Sequence, residues 1–344
     1  MPSYRHALPQ LSNDIFLTDS GLETTLVFLE GLDLPCFAAF PLVAHAAGRE
    51  KLERYFRPYL RTARERGIGF ILDTPTWRAN GDWAEKLGYS SQALAAINRQ
   101  AVALAEEMRE IYATEHTRVV VNGVVGPRGD GYKADSGMTA AEAERYHAAQ
   151  IETFRGTEAD MVSAITMTYP EEAIGIARAA RANDMPVAVS FTVETDDRLP
   201  SGHRLRSAIE QVDEETGRTP AYYMINCAHP VHFESALAGR EPWLDRIRGI
   251  RANASTMSHA ELDAATELDS GDPAGLGEHY RSLRRHLSRF SIMGGCCGTD
   301  HRHIAAICEA CLPPERKPRR SERQPGRAAS TSVMYRETVA QAPP

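Results

Sequence analysis

Short apolar runs alternate with longer amphipathic segments along most of the chain. Eight runs rich in β-branched and other apolar residues are predicted to be strands. These runs cover residues 15–20, 68–75, 118–126, 160–167, 186–193, 221–228, 247–254 and 290–298. In the segments between them, such as 90–116 and 139–159, apolar residues recur at spacings of three and four, which is typical of helices that cover a sheet. The alternation predicts repeated βα units and a parallel sheet.

The number of these units predicts a single (β/α)8 TIM barrel. Eight strands with their helices in roughly 300 residues match that fold in number and size. A doubly wound open sheet is the alternative, but no G-x-G-x-x-G pattern follows the first predicted strand. We therefore predict one barrel domain over residues 1–312. The remainder, 313–344, is rich in Pro, Arg and Ser, and we predict an extended tail there.

Composition argues against several classes of function. The 344 residues are 42% hydrophobic and 25% charged, which is typical of a globular protein. The net charge of -7 gives no electrostatic case for a nucleic-acid partner. The sequence has no apolar run of about 18 residues or more, and its first residues lack the apolar core of a signal peptide. We expect a cytoplasmic protein without a membrane or nucleic-acid partner, and the oligomeric state stays open, a homo-oligomer included.

Three of the six cysteines fall at predicted strand ends. Cys227 ends the sixth strand in MINCAHP, and Cys296 and Cys297 end the eighth in GGCCGT. The loops at the carboxyl ends of barrel strands meet over one pocket, so we expect the three thiols to converge. Three thiolates with one open position describe a catalytic zinc site. Gly294 and Gly295 are expected to let the backbone bend sharply enough to aim both neighbouring thiols.

The residues around these cysteines resemble the homocysteine S-methyltransferase family. The resemblance rests on GGCCGTDHRHI, on Asn226 with Cys227, on the opening TDSGLETTL and on weaker matches such as TPTWRAN and GPRGDGY. It implies a zinc enzyme that holds Zn2+ through Cys227, Cys296 and Cys297. Its partners would be a small-molecule thiol acceptor, either homocysteine (giving methionine) or a related thiol, and a donor whose methyl group is carried by a sulfonium or quaternary ammonium.

The resemblance also implies substrate contacts. Asp19 is expected to hold the ammonium of the acceptor, while the backbone beside Gly21 meets its carboxylate. Thr166 is expected to contact the acceptor as well. Trp77 is a candidate aromatic wall for the cationic methyl donor, although a lone tryptophan is more often a packing residue.

One position departs from the family pattern. Ile165 stands at the end of the fourth predicted strand, where the family usually has a glutamate that also grips the acceptor's ammonium. Glu171 or Glu194 could supply that charge from nearby loops. Alternatively, the acceptor is a thiol without an amino group, and Ile165 packs against it.

Two other functions stay open on the sequence alone. A thiol redox protein using Cys296 and Cys297, or Cys308 and Cys311, would cycle a disulfide and hold no metal. Neighbouring cysteines close only a strained ring, however, and Cys227 would have no role. A barrel that binds zinc or a thiol without methyl transfer would keep the metal. Buried cysteines that pack as small apolar side chains are the simplest alternative for any one of the three.

Overall fold

Eight parallel strands close into a barrel in the computed structural model, which describes residues 1–134 and 137–313. Each strand pairs with its neighbours in chain order, and the last pairs with the first. The strands are β1 (Phe16–Leu17), β2 (Gly69–Asp73), β3 (Val119–Val125), β4 (Met161–Met167), β5 (Val187–Phe191), β6 (Tyr222–Asn226), β7 (Ile247–Ala252) and β8 (Ile292–Gly295). Every predicted run contains one of them, and the predicted (β/α)8 barrel is confirmed.

Helices connect the strands. Within the described ranges the α-helices are α1 (Leu22–Thr24), α2 (Ala46–Arg66), α3 (Gly81–Lys86), α4 (Ser91–Tyr112), α5 (Ala140–Arg155), α6 (Pro170–Ala182), α7 (Leu205–Thr216), α8 (His259–Ala264), α9 (Pro273–His286) and α10 (His301–Cys311). Side-chain caps mark the starts of several of them. Ser90 accepts a hydrogen bond from a backbone N–H of α4, and Thr139 forms a capping box with Glu142 of α5.

Apolar side chains fill both sides of the barrel wall. Inside the barrel, Phe16, Ile71, Val120 and Tyr222 belong to one buried cluster, against which Leu8 of the N-terminal segment also packs. A larger cluster joins the outer faces of the strands to the helices. Because a parallel sheet is covered on both faces, its strands are nearly continuous apolar runs, which is why the sequence pattern located them.

The strands at the barrel closure are shorter than predicted. β1 ends at Leu17, and the predicted remainder, 18–20, leaves the sheet while staying buried. β8 ends at Gly295, so the two adjacent cysteines lie in the turn that follows. Residues 18–20 and 296–298 therefore lie just past the carboxyl ends of these two strands.

The prediction that Gly294 and Gly295 let the backbone bend sharply was wrong. Both glycines lie in β8, and neither has a left-handed backbone; the left-handed residue is Gly298, with φ of 77°. Their small size serves close packing instead. A Cβ on Gly294 would overlap Thr18 Oγ1, and a Cβ on Gly295 would overlap Thr299 Oγ1.

The C-terminal part of the chain is only partly described. The last helix, α10, ends at Cys311, and the predicted tail lies outside the described residues from 314 onward. The domain boundary after residue 312 therefore stays a prediction. Within the described part of the chain, no helix has the length and apolar character that crossing a membrane requires.

Candidate active site

A cavity of about 390 Å³ opens where the barrel strands end at their carboxyl termini. All seven residues predicted for the site line it: Asp19, Gly21, Trp77, Thr166, Cys227, Cys296 and Cys297. They come from the segments that end or follow β1, β2, β4, β6 and β8. The barrel topology thus brings together residues that lie up to 278 positions apart, as expected for this fold.

Three cysteine sulfurs form a cluster in this cavity. The Sγ atoms of Cys227, Cys296 and Cys297 lie within 4.8 Å of one another. Cys227 and Cys296 form a disulfide with their Cα atoms 5.3 Å apart, and Cys297 is a free thiol. The redox alternative expected a pair between the adjacent cysteines, whereas this disulfide joins β6 to the loop after β8. Once reduced, the three thiols would be a donor set typical of catalytic zinc.

Two residues with left-handed backbones position the cluster. Cys227 has φ of 55° and Thr166 has φ of 65°, which is uncommon for residues with a side chain and rare for a β-branched one. Asn226 links them: its Oδ1 accepts from the Thr166 N–H at 3.0 Å, and its Nδ2 donates to Thr166 Oγ1 at 2.8 Å. The Cys227 N–H donates to the Arg251 carbonyl at 3.1 Å. These bonds hold the ends of β4 and β6 so that Cys227 faces the cavity.

Tyr132 and His259 form a wall beside the sulfurs. The Tyr132 hydroxyl donates to Cys297 Sγ at 3.3 Å, and its ring stacks on His259 with 4.1 Å between centroids. His259 Nε2 lies 2.7 Å from the Cys227 carbonyl oxygen, and its Nδ1 lies 3.0 Å from Glu194. Burial raises the pKa of the Cys297 thiol to about 11, against the lowering effect of Tyr132, so this thiol is protonated at neutral pH.

Asp19 is already paired within the protein. Its Oδ1 accepts from Arg251 Nη2 at 2.5 Å, and its Oδ2 accepts from the Tyr55 hydroxyl at 3.1 Å. The Arg251 guanidinium also pairs with Asp73, and all three charged residues are buried. An ammonium held by Asp19, as predicted, would therefore share its carboxylate oxygens with Arg251 and Tyr55.

The end of β4 offers no replacement for the missing glutamate. Ile165 lines the cavity, and its carbonyl accepts from Trp77 Nε1 at 3.3 Å. Glu171 lies in the first turn of α6 and accepts from Gln211 at 3.3 Å. Glu194 is committed to His259, and neither glutamate lines the cavity.

Two charged residues that the sequence analysis left without a role do line the cavity. Glu23 lies in TDSGLETTL and Arg78 lies in TPTWRAN, motifs that had been noticed only as parts of a resemblance. The Arg78 guanidinium lies 4.3 Å from the ring centroid of Trp77 and 3.8 Å from that of Trp83. A sequence motif does not reveal which of its charged side chains face a cavity after folding, so these residues could be found only from the structure.

Glu23 is expected to make stability depend on pH. Burial raises its pKa from 4.5 to about 7, although the nearby Arg78 and Arg251 guanidinium groups lower it, and Asp19 and Cys297 are the other titratable groups that face it. The folded state then binds a proton that the unfolded state lacks between these two pH values, so stability falls as pH rises through that window. Glu23→Gln should remove an ionisation cost on the order of 1–3 kcal/mol at pH 8 and change little at pH 4.5. Urea unfolding of the wild type and the variant at pH 4.5 and pH 8 measures this difference in stability. If the free energy of unfolding changed equally with pH in both proteins, the expectation would be contradicted.

The cavity lining as a whole is acidic. Seven carboxylate side chains line it against two guanidinium groups. The carboxylates are Asp19, Glu23, Asp73, Asp130, Asp263, Glu267 and Asp269, and the guanidinium groups are Arg78 and Arg251. This excess of negative charge gives the cavity a negative electrostatic potential, which favours cationic ligands.

Comparison with known proteins agrees with the fold and gives the family. The oxidized form of the homocysteine methyltransferase MmuM from Escherichia coli superposes with a TM-score of 0.69 at 18% identity, covering 89% of this chain and 99% of that one. The metallated form of the same enzyme gives a TM-score of 0.68 at 17% identity, with 88% and 98% covered. No curated protein matches the sequence. The sequence model described as homocysteine S-methyltransferase matches residues 16–311, and the chain therefore belongs to the homocysteine S-methyltransferase family.

Proposed function

We propose that this protein is a zinc-dependent thiol S-methyltransferase. It transfers a methyl group from a sulfonium or quaternary ammonium donor to homocysteine, giving methionine, or to a related thiol. The observation that carries the proposal is the convergence of three cysteine sulfurs within 4.8 Å in one cavity of the barrel. Family membership supports methyl transfer to a thiol.

The donor set fits zinc. Cys227, Cys296 and Cys297 would hold the ion after the disulfide between the first two is reduced, and three protein ligands leave a fourth position for the acceptor sulfur. Bound zinc would keep that sulfur as a thiolate, the nucleophilic form, at neutral pH. Thiolates are soft ligands, which favours zinc over magnesium or calcium at this site.

Neighbouring residues orient the ligands and the substrates. Tyr132 donates its hydroxyl proton toward Cys297 and fixes the direction of that sulfur. Asn226 keeps Cys227 turned toward the cavity. Trp77, a partly buried ring on the cavity wall, offers an aromatic face to a cationic donor. These contacts align acceptor and donor, which lowers the entropic cost of bringing sulfur and methyl together.

The acidic lining suits a donor that loses its charge in the reaction. A sulfonium or quaternary ammonium becomes neutral at the reacting atom when its methyl group leaves. Seven carboxylates along the cavity should therefore bind the donor more tightly than the demethylated product. This difference favours product release after transfer.

We also propose that the protein acts in the cytoplasm on small molecules. The three free thiols that zinc binding at this site requires would persist only where the surroundings are reducing, and the cytoplasm supplies such conditions. The cavity of about 390 Å³ is of a size that suits small-molecule substrates.

Methyl transfer is expected from the reduced, zinc-loaded protein. Homocysteine would be incubated separately with S-methylmethionine, S-adenosylmethionine and betaine, each carrying an isotopically labelled methyl group. Labelled methionine, followed by mass spectrometry, should form with at least one of the three donors. Omitting the reductant should suppress it, because only Cys297 is then free to bind zinc.

The alternatives give different results. A barrel that binds zinc without catalysis would keep one ion per chain and yield no labelled product with any thiol offered. A thiol redox protein would instead oxidise dithiol substrates or reduce disulfide substrates without any metal. Either result would contradict the proposed function.

A further inference from the structure

His259 is a buried histidine that lies behind the wall of the cavity. It is the first residue of α8 and is 5% exposed, but it does not line the cavity itself. Any effect of this side chain on the site must therefore pass through its neighbours. It contacts Cys227 directly and reaches Cys297 through the ring of Tyr132.

One ring nitrogen of His259 holds the backbone of Cys227. Nε2 lies 2.7 Å from the Cys227 carbonyl oxygen, and since a carbonyl oxygen only accepts, Nε2 must donate. Asn253 Nδ2 donates to the same oxygen at 3.0 Å. The left-handed φ of 55° at Cys227 is costly for a residue with a side chain, and such a conformation persists only where neighbours hold it. The bond from His259 therefore helps to keep the sulfur in place at the end of β6.

The ring face of His259 supports Tyr132. The two rings are stacked, with their centroids 4.1 Å apart and their planes inclined by 10°. Tyr132 lies in the loop after β3, and its hydroxyl donates to Cys297 Sγ at 3.3 Å. The stack therefore fixes the direction from which this hydroxyl reaches the sulfur, and outer hydrogen bonds of this kind orient metal ligands.

Glu194 fixes the orientation of the His259 ring. Its carboxylate lies 3.0 Å from Nδ1, and Thr192 Oγ1 lies 3.3 Å from Nε2. Both residues follow β5, and together they engage both ring nitrogens. The sequence offered Glu194 as a replacement for a missing carboxylate at the acceptor, whereas in the structure it orients a histidine.

The third thiol of the cluster is held in a different way. The Cys296 N–H donates to the Ala252 carbonyl at 2.8 Å, and the Cys296 carbonyl accepts from Thr299 Oγ1 at 2.7 Å. These contacts come from β7 and from the turn after β8. A change at His259 is therefore expected to act on Cys227 and Cys297 and to leave Cys296 in place.

We propose that His259 is a positioning residue for the metal site. Its Nε2 holds Cys227 through the carbonyl oxygen, and its ring face holds Cys297 through Tyr132. Glu194 orients the ring for both contacts. The inference rests on the proposed zinc-dependent function, and it gives a role to residues outside the three ligands. One side chain then sets the placement of two of the three sulfurs, and with it the affinity for the metal.

Two substitutions of His259 separate its two contacts. His259→Phe keeps a ring that stacks on Tyr132 and removes the donor to Cys227. His259→Gln keeps an N–H donor for the Cys227 carbonyl and removes the ring. Tyr132→Phe removes only the hydroxyl that reaches Cys297. Competition with a chromogenic chelator would give the zinc dissociation constant of each reduced protein without any substrate, and the absorption bands of the cobalt-substituted proteins would report the geometry around the metal.

The expected pattern depends on the combination of substitutions. Each single variant should weaken zinc binding about 10- to 100-fold and shift the cobalt bands. In the His259→Phe background, Tyr132→Phe should weaken binding by its full factor again, because the stack is retained. In the His259→Gln background, Tyr132→Phe should weaken binding less than about twofold, because the hydroxyl has already lost its support. A general loss of stability would not produce this difference between the two backgrounds.

His286 supplies the matched control. It is exposed at the end of α9, so His286→Gln and His286→Phe make the same chemical changes away from the cysteines. Both proteins should bind zinc as the wild type does and should give unchanged cobalt bands.

Other results would overturn the proposal. Zinc affinities of the His259 variants equal to those of the His286 controls would show that the histidine does not position the ligands. An equal effect of Tyr132→Phe in both His259 backgrounds would show that the ring does not support the tyrosine. If His259→Phe does not fold, the combination of His259→Gln with Tyr132→Phe still tests that support.

Failure of this inference differs from failure of the proposed function. Wild-type protein that binds one zinc ion per chain, with His259 variants that match the controls, would remove only the role of His259. A reduced wild type that binds neither zinc nor cobalt would show that the proposed metal site is wrong, and the role of His259 would be wrong with it.

Discussion

Cys297→Ala is expected to abolish tight zinc binding and to lower the rate of methyl transfer about 10³-fold or more. Cys297 is the free thiol of the cluster, and without it only Cys227 and Cys296 remain, which are themselves joined by a disulfide. Two thiols cannot supply the three protein ligands that a catalytic zinc site needs. Elemental analysis of the reduced protein after dialysis against zinc should give one ion per chain for the wild type and close to none for the variant.

Cys311→Ala is the matched control for this experiment. Cys311 lies at the end of α10 and packs against the outer core, away from the cavity. Its replacement should leave both zinc content and methyl transfer close to wild type. A Cys297→Ala protein that keeps one zinc ion and its activity would show that the three sulfurs do not form the metal site.

Arg251→Met is expected to destabilise the protein by about 3–5 kcal/mol. The guanidinium is 7% exposed and pairs with both Asp19 and Asp73, which are also buried. Removing the cation leaves two buried carboxylates without a counter-charge, and that costs far more than the net worth of the original pairs. Urea unfolding at pH 8 would measure the change in the free energy of unfolding.

Acid and a second substitution should reverse part of this loss. Burial raises the pKa of Asp19 and Arg251 opposes the shift, so without Arg251 the carboxyl takes up a proton more readily and the deficit should shrink at pH 5. Asp19→Asn in the Arg251→Met background should likewise recover stability. Arg206→Met serves as the control, since Arg206 pairs with two exposed glutamates, and it should cost less than about 1 kcal/mol. An Arg251→Met protein as stable as this control would contradict the argument.

The barrel could be predicted from the sequence because each of its strands can be recognised from the residues of that strand alone. A strand covered on both faces is an unbroken apolar run, and eight such runs separated by helical periodicity leave few alternative folds. The cysteine cluster could be predicted for a related reason, since the fold brings the residues that follow its strands to one rim. The sequence therefore located Cys227, Cys296 and Cys297 together before any distance was known.

The charge pairing could not be predicted in the same way. Arg251 reaches Asp19 across 232 positions of sequence, and no periodicity or motif shows that this bond forms. The same limit hid Glu23 and Arg78, because no motif shows that these two side chains line the cavity. The role of Gly294 was also misjudged, because whether a glycine provides a turn or close packing depends on neighbours that the sequence does not name.

The barrel closes through β1, a strand of only two residues, and this closure is the seam of the barrel. Contacts between residues of the site bridge this seam. The Gly295 N–H donates to the Asp19 carbonyl at 2.9 Å, and the Asp19 side chain pairs with Arg251 on β7. The sulfur cluster spans from the end of β6 to the loop after β8, on one side of this seam. A ligand that binds only the folded barrel stabilises the folded state by mass action. A metal held by these sulfurs would therefore also raise the free energy of unfolding. Selection for catalysis would then also preserve the arrangement of the strands from β6 to β8.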